Sequence, residues 1–214
     1  MSGAGNVPPF RFVAIVGSFG ALPVLATVVD QLPETFPVPV LVVQHRPAGT
    51  NGDTLTMLLR RHTALPVRLG RIGLPAWGPG VTVIPGHESA TVADDHRLLL
   101  HPATVSDMGG DELLATAAAA AQPGCGIGVI LSGMRRDGAA GIRPVKRTGG
   151  RVLAQDPATA RAPGMPTAAL ATGCVDFVLP PHRIAPALVA LTMAPGGADL
   201  LTVPTPHWAA LGTG

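Results

Sequence analysis

The sequence predicts an α/β protein, a doubly wound and mostly parallel sheet with helices on both faces and a small antiparallel hairpin. Three observations lead there. Short apolar runs alternate with helical patterns along most of the 214 residues, the arrangement of repeated strand–helix–strand units with right-handed crossovers. Several runs, such as "PVLVV" and "IGVIL", are apolar at every position, as expected of parallel strands covered on both faces. Hydrophobic residues make up 47% and charged residues only 13%, so the chain can bury a large core.

Taken in order, residues 1–11 read as a flexible lead, 12–193 as one domain, and the Gly/Pro/Thr-rich stretch 194–214 as a flexible tail. Strands are predicted over 12–16, 39–43, 67–69, 81–84, 127–131, 151–154 and 175–179. Helices are predicted over 22–32, 54–62, 111–121, 138–148, 166–171 and 184–191. The segment 77–100 breaks the alternation. There "GPGVTVIPG" and "SATVADDHRLLL" read as short strands around turns, an antiparallel hairpin inserted into or flanking the main sheet, with Asp94-Asp95 at a hairpin turn.

Composition excludes several classes. The formal charge of +2 and scattered pairs such as Arg60-Arg61, Arg135-Arg136 and Lys146-Arg147 do not make a nucleic-acid surface. Aromatic residues amount to 3%, too few for a base-stacking platform. Cys125 and Cys174 form no CxxC pair and read as buried free thiols. The N-terminus lacks a basic start before an apolar stretch, and no apolar run approaches a membrane span, so a soluble, cytoplasmic protein is expected. No GxGxxG or Walker pattern implies a nucleotide cofactor. His87, His96 and His101 lie on the hairpin without carboxylates or thiolates at ligand spacing, and read as solvated surface with no metal. Oligomeric state is not legible.

Doubly wound folds bind ligands beyond the carboxyl ends of their strands. Three such ends carry polar residues: Ser18 after "VAIVG", His45 after "VLVVQ", and Asp137 in the loop after "GVILSG". A serine, a histidine and an acid are the parts of an acyl-transfer triad, the acid orienting an imidazole that takes the serine proton. Each has a plainer reading. Ser18 fits any tight bend, His45 could be a core histidine, and Asp137 could cap a helix beginning at Gly138.

At "LVVQH", "LSGMRRDGAAG" and "AQDPATARAPGMPTAAL" the chain resembles the catalytic domain of CheB-type chemotaxis protein-glutamate methylesterases. Those domains show a strand ending in QH, a block like "LTGMGxDGaxG" and a block like "AQDxxtxxxxGMPxaA". The likeness runs in order over about 13–191. It implies the CheB C-terminal type of doubly wound fold. It also implies hydrolysis of glutamate γ-methyl esters on receptor helices or another protein substrate, with a related deamidation of glutamine. No cofactor is implied. His45 falls at the general-base position and Asp137 at the orienting acid, while Gly133 and Met134 fall in the block whose backbone helps form the oxyanion site.

The nucleophile turn departs from the family's. Against "IGASTGGP", the ungapped "VGSFGALP" puts Phe19 in the serine's place. A one-residue deletion after Gly17 instead makes Ser18 the nucleophile, with Gly20 and Ala21 for the two glycines. The first register predicts a catalytically silent binding or regulatory protein with Phe19 filling the pocket; the second predicts a hydrolase. Other departures are "TVSDMGGDELL" for a "GHxPSVDxLF"-like segment, "HRPAGTNG" for "HMPxxFT", and Arg135 where a glycine is common. With about a dozen residues ahead of the first strand, no receiver domain is expected there.

Overall fold

A computed structural model describes residues 10–45, 52–103, 109–122 and 125–200. The expected lead before Phe10, most of "HRPAGTNG", the start of "TVSDMGG" and the tail from 201 lie outside these residues.

All seven strands expected from the apolar runs form one parallel sheet. In chain order they are β1 (Phe10–Gly17), β2 (Val40–Gln44), β3 (Val67–Leu69), β4 (Val81–Val83), then, after the hairpin, β7 (Cys125–Ile130), β8 (Arg151–Gln155) and β9 (Phe177–Leu179). Their spatial order is β3-β4-β2-β1-β7-β8-β9. The hairpin β5 (Glu88–Val92) and β6 (Leu98–Pro102) is a separate antiparallel sheet, with Asp94 and Asp95 in the turn as expected. The "VTV" of "GPGVTVIPG", expected also in the hairpin, is instead β4 and pairs parallel with β2 and β3.

Six helices match the expected ones: α1 (Ala21–Asp30), α2 (Gly52–Leu59), α3 (Gly109–Ala120), α4 (Ile142–Arg147), α5 (Gly164–Ala171) and α6 (Pro181–Met193). A seventh, α7 (Gly197–Leu200), lies at the start of the expected tail, where the Arg151 guanidinium donates to Ala198 O at 2.8 Å. The helix expected from residue 138 begins only at Ile142, because the intervening N–H groups are captured by side-chain carboxylates described below.

The pleat sorts the core. Val13, Ile15, Val40 and Val42 face α1, α2 and α6, whereas Phe12, Ala14, Val16, Leu41 and Val43 face α3, α4, α5 and the hairpin. Both faces of β1 and β2 are therefore dry, which is why these strands show no polar alternation. Cys174 is a buried free thiol; Cys125, expected to be buried, is only half-buried at the start of β7.

From β1 the chain winds outward through β2 and then crosses back to β7 on the other side of β1. The switch point of this winding, where such sheets form a crevice, lies between the carboxyl ends of β1 and β7.

Candidate active site

The strand register brings the three sequence candidates together. Gly17 pairs with Gln44, and the His45 N–H donates to Gly17 O at 3.0 Å, so Ser18 and His45 are the next residues of neighbouring strands. On the other side the Ser18 N–H donates to Ser132 O at 2.9 Å. Asp137 arrives from the loop after β7, and its Oδ2 lies 2.8 Å from His45 Nε2. Asp137 is 1% exposed and His45 33%. The contact is short, yet the ring nitrogen is not aligned as a hydrogen-bond donor. Such pairs are often misaligned in a free enzyme and tighten around substrate.

A buried carboxylate needs donors, and Asp137 has three from the backbone. Its Oδ2 accepts from Gly110 N, and its Oδ1 from Asp111 N and Gly138 N, all at 2.9 Å. Asp137 therefore caps a helix, as the plainer reading expected, but the helix is α3 rather than one starting at Gly138. Asp111 reciprocates: its Oδ1 accepts Ala140 N at 2.8 Å and Gly141 N at 2.7 Å. Two acids thus lock the start of α3 to the loop before α4. Burial pushes the Asp111 carboxyl above its ordinary value, and the neighbouring Asp137 charge adds to the rise against the lowering effect of its backbone donors. Gly110 has to be glycine, since a Cβ there would stand 2.3 Å from Val16 Cγ1 and 2.6 Å from Asp137 Oδ2.

The turn after β1 shows where Phe19 lies. Phe19 is 48% exposed, with the Arg161 guanidinium 4.7 Å from its ring centroid, so its ring lies on the surface instead of filling the pocket. Gly20 supplies the left-handed residue the bend requires, at φ 82°. Ser132, wholly buried, ties this turn down: its Oγ donates to Phe19 O at 2.8 Å and accepts Ala162 N at 3.0 Å. Gln155 holds Ser132 in place through Oε1, which accepts Ser132 N at 3.0 Å.

Gly133 and Met134 play unequal parts. The Gly133 N–H is donated to Ala162 O at 2.9 Å and so is not available to an oxyanion. Gly133 matters by its smallness, since a Cβ would meet Met165 Sδ at 1.9 Å and Ser18 Cβ at 3.0 Å. Among the described residues no acceptor takes the N–H of Met134 or of Phe19.

The described residues contain no cluster of His, Cys, Asp and Glu fit to hold a metal. His101 instead lies 3.0 Å from Glu112, and His87 3.8 Å from Glu88. Reading the residues one by one missed Ser132, Gln155, Gly110 and Arg161 as parts of the site. Ser132, Gln155 and Arg161 stand in the very blocks that carry the resemblance, but nothing in the sequence says that they converge on one turn.

The model of the CheB methylesterase family matches residues 13–188. A protein-glutamate methylesterase/protein-glutamine glutaminase of Anaeromyxobacter dehalogenans is 39% identical over 189 residues, which is 84% of this chain and 53% of that protein. The protein-glutamate methylesterase FrzG of Myxococcus xanthus is 38% identical over 186 residues, 85% of this chain and 55% of FrzG. The crystal structure of the Thermotoga maritima CheB methylesterase catalytic domain superposes with a TM-score of 0.76 at 32% identity, covering 86% of this chain and 99% of that one. The chain spans about half the length of the relatives it matches. With the sheet order, the convergence on one switch point and these likenesses together, the chain belongs to the CheB methylesterase family.

Proposed function

We propose that this chain hydrolyses glutamate γ-methyl esters in a protein substrate to glutamate and methanol, with deamidation of glutamine as the related reaction. The reading rests above all on the convergence of Ser18, His45 and Asp137 on the ends of β1 and β2 and the loop after β7, with Phe19 turned outward. Relatives bearing the names protein-glutamate methylesterase and protein-glutamine glutaminase support it. A methylated chemoreceptor is the substrate these names suggest, and the cytoplasm the place of action. Among the described residues no helix is long and apolar enough to cross a membrane.

In this reading Ser18 Oγ attacks the ester carbonyl while His45 takes its proton. With Nε2 on the Asp137 side, this reading assigns the proton transfer to Nδ1. The imidazolium then protonates the departing methoxide, methanol leaves, and a water activated by His45 cleaves the acyl-enzyme. Asp137, held by its three backbone donors, faces the ring and balances its charge. The N–H groups of Phe19 and Met134 are the candidate oxyanion donors. Loss of one such donor costs about 3–4 kcal/mol of barrier in other acyl-transfer enzymes.

Labelling with a fluorophosphonate probe tests the reading. The folded chain should form a serine adduct and release methanol from a γ-methyl glutamyl peptide, and Ser18→Ala should lose both. Folded protein without an adduct, or methanol release that survives Ser18→Ala, would refute the assignment.

A further inference from the structure

An open groove of about 890 Å³ lies between the loop after β7 and α5. It is lined by Met134, Arg135, Arg136, Gly164, Thr167 and Ala171, among others, and no acidic residue lines it. Along the chain its lining adjoins the candidate site. Met134 follows Gly133, which packs on Ser18, and Arg136 precedes Asp137. Its volume is of the size that takes a drug-sized ligand, roughly 300–1,000 Å³. That is far more than a methyl ester needs and leaves room for a stretch of chain beside it. Its floor is apolar, and Arg135 and Arg136 are both exposed on its wall.

Further cations surround it. A smaller adjoining depression shares Arg136 and adds Arg143, and the acid there, Asp111, has its Oδ1 taken by two backbone N–H groups. Arg161 lies over Phe19, the residue after Ser18. This concentration is local, because the whole chain carries a formal charge of only +2. A surface of this kind favours a partner of opposite charge through encounter and register.

We infer that this groove receives the stretch of substrate protein flanking the ester, that this stretch is acidic, and that Arg135 and Arg136 are specificity-determining residues. The inference rests on the hydrolase reading above for its reaction, but not for its binding test. Arginine suits the role because its planar guanidinium can hold a carboxylate with two parallel hydrogen bonds.

Two peptides of equal length test it, each with one glutamate γ-methyl ester, flanked in one by Asp and Glu and in the other by Asn and Gln. Methanol release by the full chain is compared at about 20 mM and about 500 mM NaCl, where screening lengths differ several-fold. Binding of both peptides to Ser18→Ala is followed by fluorescence anisotropy. At low salt the acidic peptide should be preferred about five- to tenfold, mostly through KM, as two partly exposed ion pairs allow. The preference should fall toward unity in high salt and in Arg135→Gln/Arg136→Gln, and should reverse toward a Lys-flanked peptide in Arg136→Glu. Equal rates and equal binding in the wild-type groove would overturn the inference, as would a preference that persists in the double variant. Tight binding of single-stranded DNA without any preference between peptides would also overturn it. Binding preference without turnover would instead count against the hydrolase reading alone.

Discussion

Ser132→Ala separates what holds the fold from what holds the site. The Ser132 hydroxyl is wholly buried and serves two masters, donating to Phe19 O at 2.8 Å and accepting Ala162 N at 3.0 Å. Removing it leaves the N–H of Ala162, itself 6% exposed, without that acceptor. An unsatisfied buried donor costs about 1–3 kcal/mol. The Phe19 carbonyl belongs to an exposed residue and can turn to water, so its loss adds little to the instability. A net loss of about 2 kcal/mol corresponds to a fall in Tm of roughly 4–8 °C for a chain of this size. The kinetic effect has a separate origin. The freed carbonyl is in the residue next to Ser18, and about 1 Å of misplacement of a reacting group can cost about a hundredfold.

Thermal unfolding followed by circular dichroism and kcat/KM for a γ-methyl glutamyl peptide, measured on the same preparation, check both figures. Ser18→Ala is the companion: it should lose turnover while keeping its Tm, because Ser18 Oγ has no hydrogen-bond partner among the described residues. If Ser132→Ala melts with the wild type and hydrolyses at the wild-type rate, the bond to Phe19 does not hold the turn. A lower Tm with full turnover would leave Ser132 a stabilising residue only.

Asp111→Asn tests the paired acids through pH. Because burial raises the folded-state value of Asp111 above its ordinary 3.8, the folded protein holds that proton more tightly than the unfolded chain does. The stability this group contributes is full below 3.8 and is lost as pH rises through the raised value. Asn keeps an oxygen for Ala140 N and Gly141 N but cannot ionise. The stability of Asp111→Asn relative to wild type, from urea unfolding, should therefore climb with pH just above 3.8 and then level off; a difference that falls over that range would contradict the account. Lys146, the only lysine, forms a buried ion pair with Asp176, whose Oδ2 also accepts Val152 N at 2.8 Å. Lys146→Met should cost about 3–5 kcal/mol in urea unfolding by stranding the carboxylate, and adding Asp176→Asn should restore part of it. A mild single variant, or no recovery in the double, would show that Asp176 finds another partner.

Different parts of the molecule were legible for different reasons. Fully apolar runs such as 40–43 are a direct imprint of two-sided burial, so the sheet could be read from them. The helix expected over 138–148 was read too long, because its first N–H groups are satisfied by Asp111 and Asp137, a long-range exchange that no local pattern records. His45 and Asp137 stand out as candidates because each follows a strand whose burial is obvious. Ser132 and Gln155 were not, because a serine and a glutamine inside an apolar block look like surface residues until the crossovers bring them under the turn at Phe19.

The altered nucleophile turn shows which part of a motif is geometry and which is chemistry. Gly17 must lack a side chain, since a Cβ would lie 2.6 Å from Ala21 Cβ where α1 starts against β1. Gly20 must reach a positive φ, and a Cβ there would lie 2.6 Å from Arg161 Cβ. These two positions remain glycine. The two substitutions that look damaging in the sequence fall elsewhere. Phe19 projects outward under Arg161, and Ala21 enters α1 with its methyl group buried. A bend that keeps glycine where close approach and handedness demand it can carry a serine beside His45 with one residue fewer than the family's usual spacing. On the proposal that Ser18 is the nucleophile, glycine keeps the two positions where close approach and handedness demand it, which a count of matching letters does not register.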